Sequence, residues 1–173
     1  AWNLSKDQGL PRMFLVNKMD RENADFDRCV SEIQATFGNH CVPFQLPMGN
    51  AQGFKGIVSV IHPPADAPAE VAAELEAARE RLIEAVAETD DALADRYLEG
   101  EELTSEEIAA AVRAGILNGN LVPILAASAT DNVGVEECME LVREFLPSPK
   151  DGVKPEMSSG ADGFEVDANG PLA

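Results

Sequence analysis

The sequence predicts an α/β protein with a mostly parallel sheet, and three observations carry that prediction. Two continuous apolar runs, MFLVN at 13–17 and LVPILAA at 121–127, have the character of strands buried on both faces. Each runs directly into a polar loop, NKMD or SATDNVG. Helical periodicity follows each loop, and repeated strand-loop-helix units are the grammar of parallel sheets.

Taken in order, AWNLSKDQGLP reads as the tail of a helix closed by Gly9 and Pro11, as if the chain were entered partway through. The first strand follows and ends near Asn17. Asp25 can cap a helix whose apolar positions Phe26, Val30, Ile33 and Phe37 recur at helical spacing until Gly38 stops it. CVPFQL and GIVSVI are strand candidates on either side of the polar GNAQG stretch. From Pro68 to Glu88 the apolar stripe of Val71, Leu75, Ala78, Leu82 and Val86 among Glu and Arg predicts a long amphipathic helix. A break at 88–91 leads to a short helix ending near Gly100, and Thr104 with Glu107 forms a capping box ahead of Ile108, Val112 and Ile116. Asn118 to Asn120 turn the chain into the second buried strand. The last helix is expected to face Val135, Cys138, Met139, Val142 and Phe145 inward, and Pro147 and Pro149 end it. Residues 150–173, rich in Gly, Ser, Asp and Pro, read as a linker or the start of a further element.

At 173 residues with 45% hydrophobic content, the chain is expected to form one main domain. Thirteen Lys and Arg against 31 Asp and Glu give a formal net charge of -18, which repels polyphosphate and argues against direct nucleic-acid binding by this segment. The carboxylates are read first as solvated helix faces and second as a surface for a basic protein. Cys29, Cys41 and Cys138 are odd in number and include no C-x-x-C pair, which indicates neither a disulfide framework nor a zinc site. His40 beside Cys41 is no better a metal ligand, because neighbouring side chains on an extended chain point to opposite faces. No apolar run approaches the ~20 residues of a membrane span, and no signal segment opens the chain, so a cytoplasmic location is expected.

Ligands of parallel sheets sit beyond the carboxyl ends of the strands, where NKMD and SAT both lie. Guanine presents a ring NH and an exocyclic amine side by side, and the Asp20 carboxylate can accept both. Adenine lacks that donor pair, so charge-assisted bonds of roughly 1.5–3 kcal/mol each would be lost with it. The stem of Lys18 is long enough to cover the face of a base, and Asn17 can donate and accept at once, bracing neighbouring loops or the base edge. Ser128 can hold the Asp20 carboxylate in plane, and the Ala129 N–H can donate to the guanine carbonyl.

Four separated blocks, PRMFLVNKMDRENADF, FQLPMGNAQGFKGIV, YLEGEELTSEEI and SATDNVGVEECMELVREFLPSP, together resemble the bacterial translational GTPase elongation factor G over about residues 1–150. The resemblance implies the carboxyl-terminal half of a P-loop-type GTPase sheet, with a helical, α+β insertion subdomain. Residues 1–40 and 119–150 would belong to the GTP-binding domain and 41–118 to the insertion. It also implies GTP or GDP as ligand, with Asn17, Lys18, Asp20, Ser128 and Ala129 at the guanine end, and magnesium in the full-length parent. The implied partners are the ribosome and, for the acidic helix from Pro68 to Glu88, the ribosomal stalk protein. The parent would act in translocation or ribosome recycling.

The sequence departs from the family at several points. It contains no G-x-x-x-x-G-K-[ST] phosphate loop, so this chain alone is not expected to hydrolyse GTP, and no catalytic residue is assigned. Ser59 stands where the family has an acidic residue, and the insertion is short, which favours an elongation-factor-G-like relative over the housekeeping factor. Ribosome-protection and release-type factors use the same loops and remain siblings. A non-catalytic acidic interaction module is the alternative from another class.

Overall fold

The computed structural model describes residues 1–87, 91–101 and 103–148. The expectations for the break at 88–90 and for the tail lie outside the described residues. Helix α1 (Trp2–Asp7) is followed by strand β1 (Phe14–Val16), helix α2 (Phe26–Phe37), and strands β2 (Cys41–Pro43), β3 (Gln45–Met48) and β4 (Gly56–Ser59). Helices α3 (Ala72–Ala87), α4 (Asp91–Leu98) and α5 (Ser105–Leu117) come next, then strand β5 (Val122–Ala126) and helix α6 (Val135–Phe145).

Three strands form a parallel sheet in the order β1-β5-β2, with Phe14 opposite Ile124 and Cys41 opposite Val122. The α/β class read from the sequence is therefore the observed one. Strand β5 is central and buried along its whole length, as a strand covered on both faces must be. Strand β1 differs from the expectation of two-sided burial. Among the described residues it is an outer strand, and Leu15 is 48% exposed.

CVPFQL, expected to be one strand, is two. At Phe44 the chain leaves the parallel sheet: the Phe44 N–H donates to the Ile124 carbonyl at 3.0 Å, and its carbonyl accepts the Val60 N–H at 2.9 Å. Strands β3 and β4 then pair antiparallel, Gln45 opposite Ser59 and Met48 opposite Gly56. Strand β2, within the expected insertion of 41–118, is hydrogen-bonded to β5 in the parallel sheet. Nor does the stretch 41–118 have a core of its own. Val42, Leu82, Val86, Val112 and Ile116 join one apolar cluster with Ile124, Leu125 and Phe145.

The helices follow their predicted faces with one exception. Asp25 caps α2 through a bond from the Arg28 N–H at 2.9 Å. The stripe Leu75, Ala78, Leu82 and Val86 buries α3, and Arg79 Nη1 donates to the carbonyls of Val60 and Ile61, tying that helix to the end of β4. The capping box of Thr104 and Glu107 starts α5. There the Arg96 guanidinium and the Thr104 N–H and O–H hold the Glu107 carboxyl down to about 2. In α6, residues 138, 141, 142 and 145 share a face, with Leu141 and Phe145 buried. Met139, expected inward, is 63% exposed, because it lies about 100° around the helix from Cys138. Among the described residues no helix is long and apolar enough to cross a membrane.

Candidate guanine-recognition site

The two polar loops leave adjacent parallel strands in register, since Val16 pairs with Ala126. The Ala127 N–H donates to the Val16 carbonyl at 3.0 Å, and the Met19 N–H donates back to the Ala127 carbonyl at 3.2 Å. This ladder carries the pairing one step beyond the strands and sets NKMD beside SAT. Met19 is the anchor of the first loop. Its side chain is 1% exposed, so Asn17 and Lys18 are left to face solvent.

Lys18 adopts a left-handed backbone with φ 65°. That conformation costs a side-chain-bearing residue roughly 1–2 kcal/mol. Asn17 Oδ1 offsets it by accepting the Lys18 N–H at 2.7 Å. The same oxygen accepts the Ala129 N–H at 3.0 Å, closing the two loops on each other. The Ala129 N–H, expected to donate to a base carbonyl, is held here by Asn17. Asn17 is a latch between the loops through its oxygen.

Ser128 is fully buried, and its Oγ donates to Asp20 Oδ1 at 2.7 Å while accepting the Asp131 N–H at 3.3 Å. The loop after it is closed by a pair of backbone bonds between Ser128 and Val133. Hydrogen bonding from Ser128 is the main reason that the Asp20 carboxyl lies below its ordinary value, with smaller help from Arg21 and Lys18 against the opposing effect of burial. Asp20 is therefore a carboxylate that only accepts, aimed by a fixed hydroxyl. Arg21 Nε stands 3.3 Å from its other oxygen, but that arginine side chain is 67% exposed and can swing aside for a ligand.

The structure thus brings Asn17, Lys18, Asp20, Ser128 and Ala129 to one rim of the sheet. Cavities of about 640, 500 and 270 Å³ are lined by other residues. Gln45 was missed in the sequence. It is 1% exposed, and its Oε1 accepts the Ala126 N–H at 3.3 Å, bracing β5 just before the SAT loop. A lone amide in the apolar run CVPFQL was the available signal. Among the described residues no group of three or more His, Cys, Asp or Glu side chains is placed to hold a metal ion.

Paired polar loops at the carboxyl ends of parallel strands, one presenting a carboxylate held by the other, stand where α/β sheets bind their ligands. Residues 1–148 match the family described as the elongation factor Tu GTP binding domain, and the chain belongs to that family. A protein of Thermus thermophilus with a known crystal structure is similar to it at 32% identity and a TM-score of 0.76, over 87% of this chain and 24% of that one. The chain therefore spans about a quarter of that relative's length.

Proposed function

We propose that this chain supplies guanine recognition to a larger translational GTPase resembling elongation factor G, with a parent acting in ribosomal translocation or recycling. The observation that carries the reading is the 2.7 Å bond from Ser128 to Asp20 across the two loops. It fixes a pure acceptor where the ring NH and amine of guanine would arrive. In this reading Asp20 selects the base, Lys18 covers it, Ser128 orients Asp20, and Asn17 with Ala129 locks the loops together. GTP or GDP is the ligand. The phosphate and magnesium contacts, and hydrolysis itself, belong to parts of the parent other than the residues described here.

Residues 41–118 form the family's insertion, packed into the same core, and the acidic face of α3 contacts the ribosomal stalk protein. The location is cytoplasmic. The four resembling blocks support elongation factor G, and Ser59 with the short insertion supports a relative of it over the housekeeping factor. Ribosome-protection and release-type factors are the sibling readings. The charge of -18 favours one reading of another class, an acidic module that binds a protein. A phosphate loop encoded within about 150 residues upstream selects the GTPase, because that is the usual span of such a domain.

The test is Asp20→Asn in the full-length protein. An amide both donates and accepts, so preference is expected to move from guanine toward xanthine nucleotides in a competition assay. Unchanged guanine preference defeats the assignment. The isolated chain is expected to bind GDP only weakly, since most nucleotide affinity comes from phosphate contacts.

A further inference from the structure

At the opposite, amino-terminal edge of the parallel sheet, a cleft of about 500 Å³ is lined by Trp2, Lys6, Arg12, Phe37, His40 and Gly119, among others. Arg12 precedes β1, His40 precedes β2 and Gly119 precedes β5, so the sheet order itself gathers these positions. The chain carries 31 acidic residues, and acidic side chains line the cavities of about 640 and 270 Å³. Among the described residues, the lining of this cleft includes none.

Arg12 lies with its guanidinium carbon 4.1 Å from the centre of the Trp2 ring, and Trp2 is itself wedged against Phe14 and Phe37. That stacking fixes the guanidinium plane. One nitrogen, Nη2, reaches the Gly119 carbonyl at 3.5 Å, at the limit of a hydrogen bond. Nε and Nη1 are buried and have no hydrogen-bond partner among the described residues. Buried donors are almost always satisfied, and a fixed, desolvated guanidinium with open donors is the usual receptor for a carboxylate or phosphate group. Burial and the charges of Arg12 and Lys6 press the His40 imidazole toward its neutral form, the mark of a locally positive cleft that lacks its counter-ion.

We propose that this cleft is a second ligand site, which binds a small oxyanion, a phosphate or carboxylate group, through Arg12, Lys6 and His40. It is separate from the guanine-recognition rim, since the two occupy opposite ends of the same strands. The volume leaves room for an organic substituent beside the anionic group.

Trp2 is the chain's single tryptophan, and its contact with Arg12 makes its emission a reporter of occupancy. The 173-residue chain is titrated with sodium phosphate and separately with sodium acetate, with sodium chloride holding ionic strength constant. A saturable change in Trp2 emission is expected, together with a shift of the His40 ring signals in NMR at the same half-saturation. Arg12→Gln and Lys6→Gln are each expected to raise the half-saturating concentration at least tenfold, while Lys55→Gln leaves it unchanged. Saturation by phosphate alone assigns a phosphate group, and saturation by acetate assigns a carboxylate. If Arg12→Gln fails to fold by circular dichroism, Lys6→Gln on the exposed helix decides. No saturable response beyond that of chloride, or an unaltered response in the folded variants, overturns the site.

Discussion

Gly134 joins the SAT loop to α6 with φ +77°, and a Cβ built there would stand 2.6 Å from the Ala126 carbonyl oxygen and 3.3 Å from Ala127 Cα. Gly134→Ala therefore meets two costs. The left-handed conformation accounts for roughly 1–2 kcal/mol. The clash is with backbone of the central strand, which no rotamer change relieves, and such overpacking adds typically ~1–3 kcal/mol. A loss of about 2–5 kcal/mol in a chain of this size lowers the melting temperature by about 4–20 °C. Two companion variants separate the costs. Gly100 also has a positive φ, +80°, but open space around it, so Gly100→Ala should show the conformational cost alone. Gly53 has neither a positive φ nor a neighbour within 4 Å, so Gly53→Ala should be neutral or stabilising by about 0.4–1 kcal/mol. Urea and thermal unfolding followed by circular dichroism read all three. If Gly134→Ala loses no more stability than Gly100→Ala, the close approach to Ala126 does not limit this turn and the reasoning fails.

Leu82 is fully buried on α3, and Leu82→Ala is expected to cost about 2–5 kcal/mol in a urea melt, where a loss under about 1 kcal/mol would remove it from the core. Ser128→Ala should raise the Asp20 pKa toward that of an ordinary carboxyl, read by carbon NMR of the side-chain carboxyl, and an unmoved titration contradicts the bond between them. His40 is held below its ordinary value by burial first and then by Arg12 and Lys6. Its unfolded form thus binds a proton more readily, so its contribution to stability is complete above about pH 6.5 and is lost as pH falls through the lower folded value. Urea midpoints in chloride buffer should therefore fall less between about pH 7 and pH 5 in His40→Gln than in the parent chain, and equal falls would refute the assignment.

Sequence pattern sufficed where one physical signal dominated. LVPILAA is apolar at every position, and β5 is the strand with neighbours on both sides. Thr104 with Glu107 announced α5, and both bonds of the box are present. The pattern was silent where the outcome turns on distant partners. Nothing local tells that Phe44 will hand one hydrogen bond to Ile124 and take another from Val60, so the bend between β2 and β3 reads as a continuous strand. Met139 misled because an apolar side chain at the margin of a helical stripe is assigned inward by composition and outward by geometry. In the site, the residue types of NKMD and SAT were readable and the Ser128–Asp20 bond was expected. That Asn17 braces neighbouring loops was readable from its donor and acceptor, but the partner it takes, the Ala129 N–H, was not, and neither was the left-handed turn at Lys18, a conformation its type disfavours. Arg12 gave no signal at all, since its surroundings come from three strand starts far apart in the chain.

The shared core has a practical corollary for anyone who would trim or transplant this protein. Excising the stretch between the two loops as a cassette would strip Val42, Val112 and Ile116 from around Ile124 and Leu125, leaving a sheet without a lid and exposing greasy surface to aggregation. Chimeras with related factors should therefore carry the whole block from the first loop through the last helix.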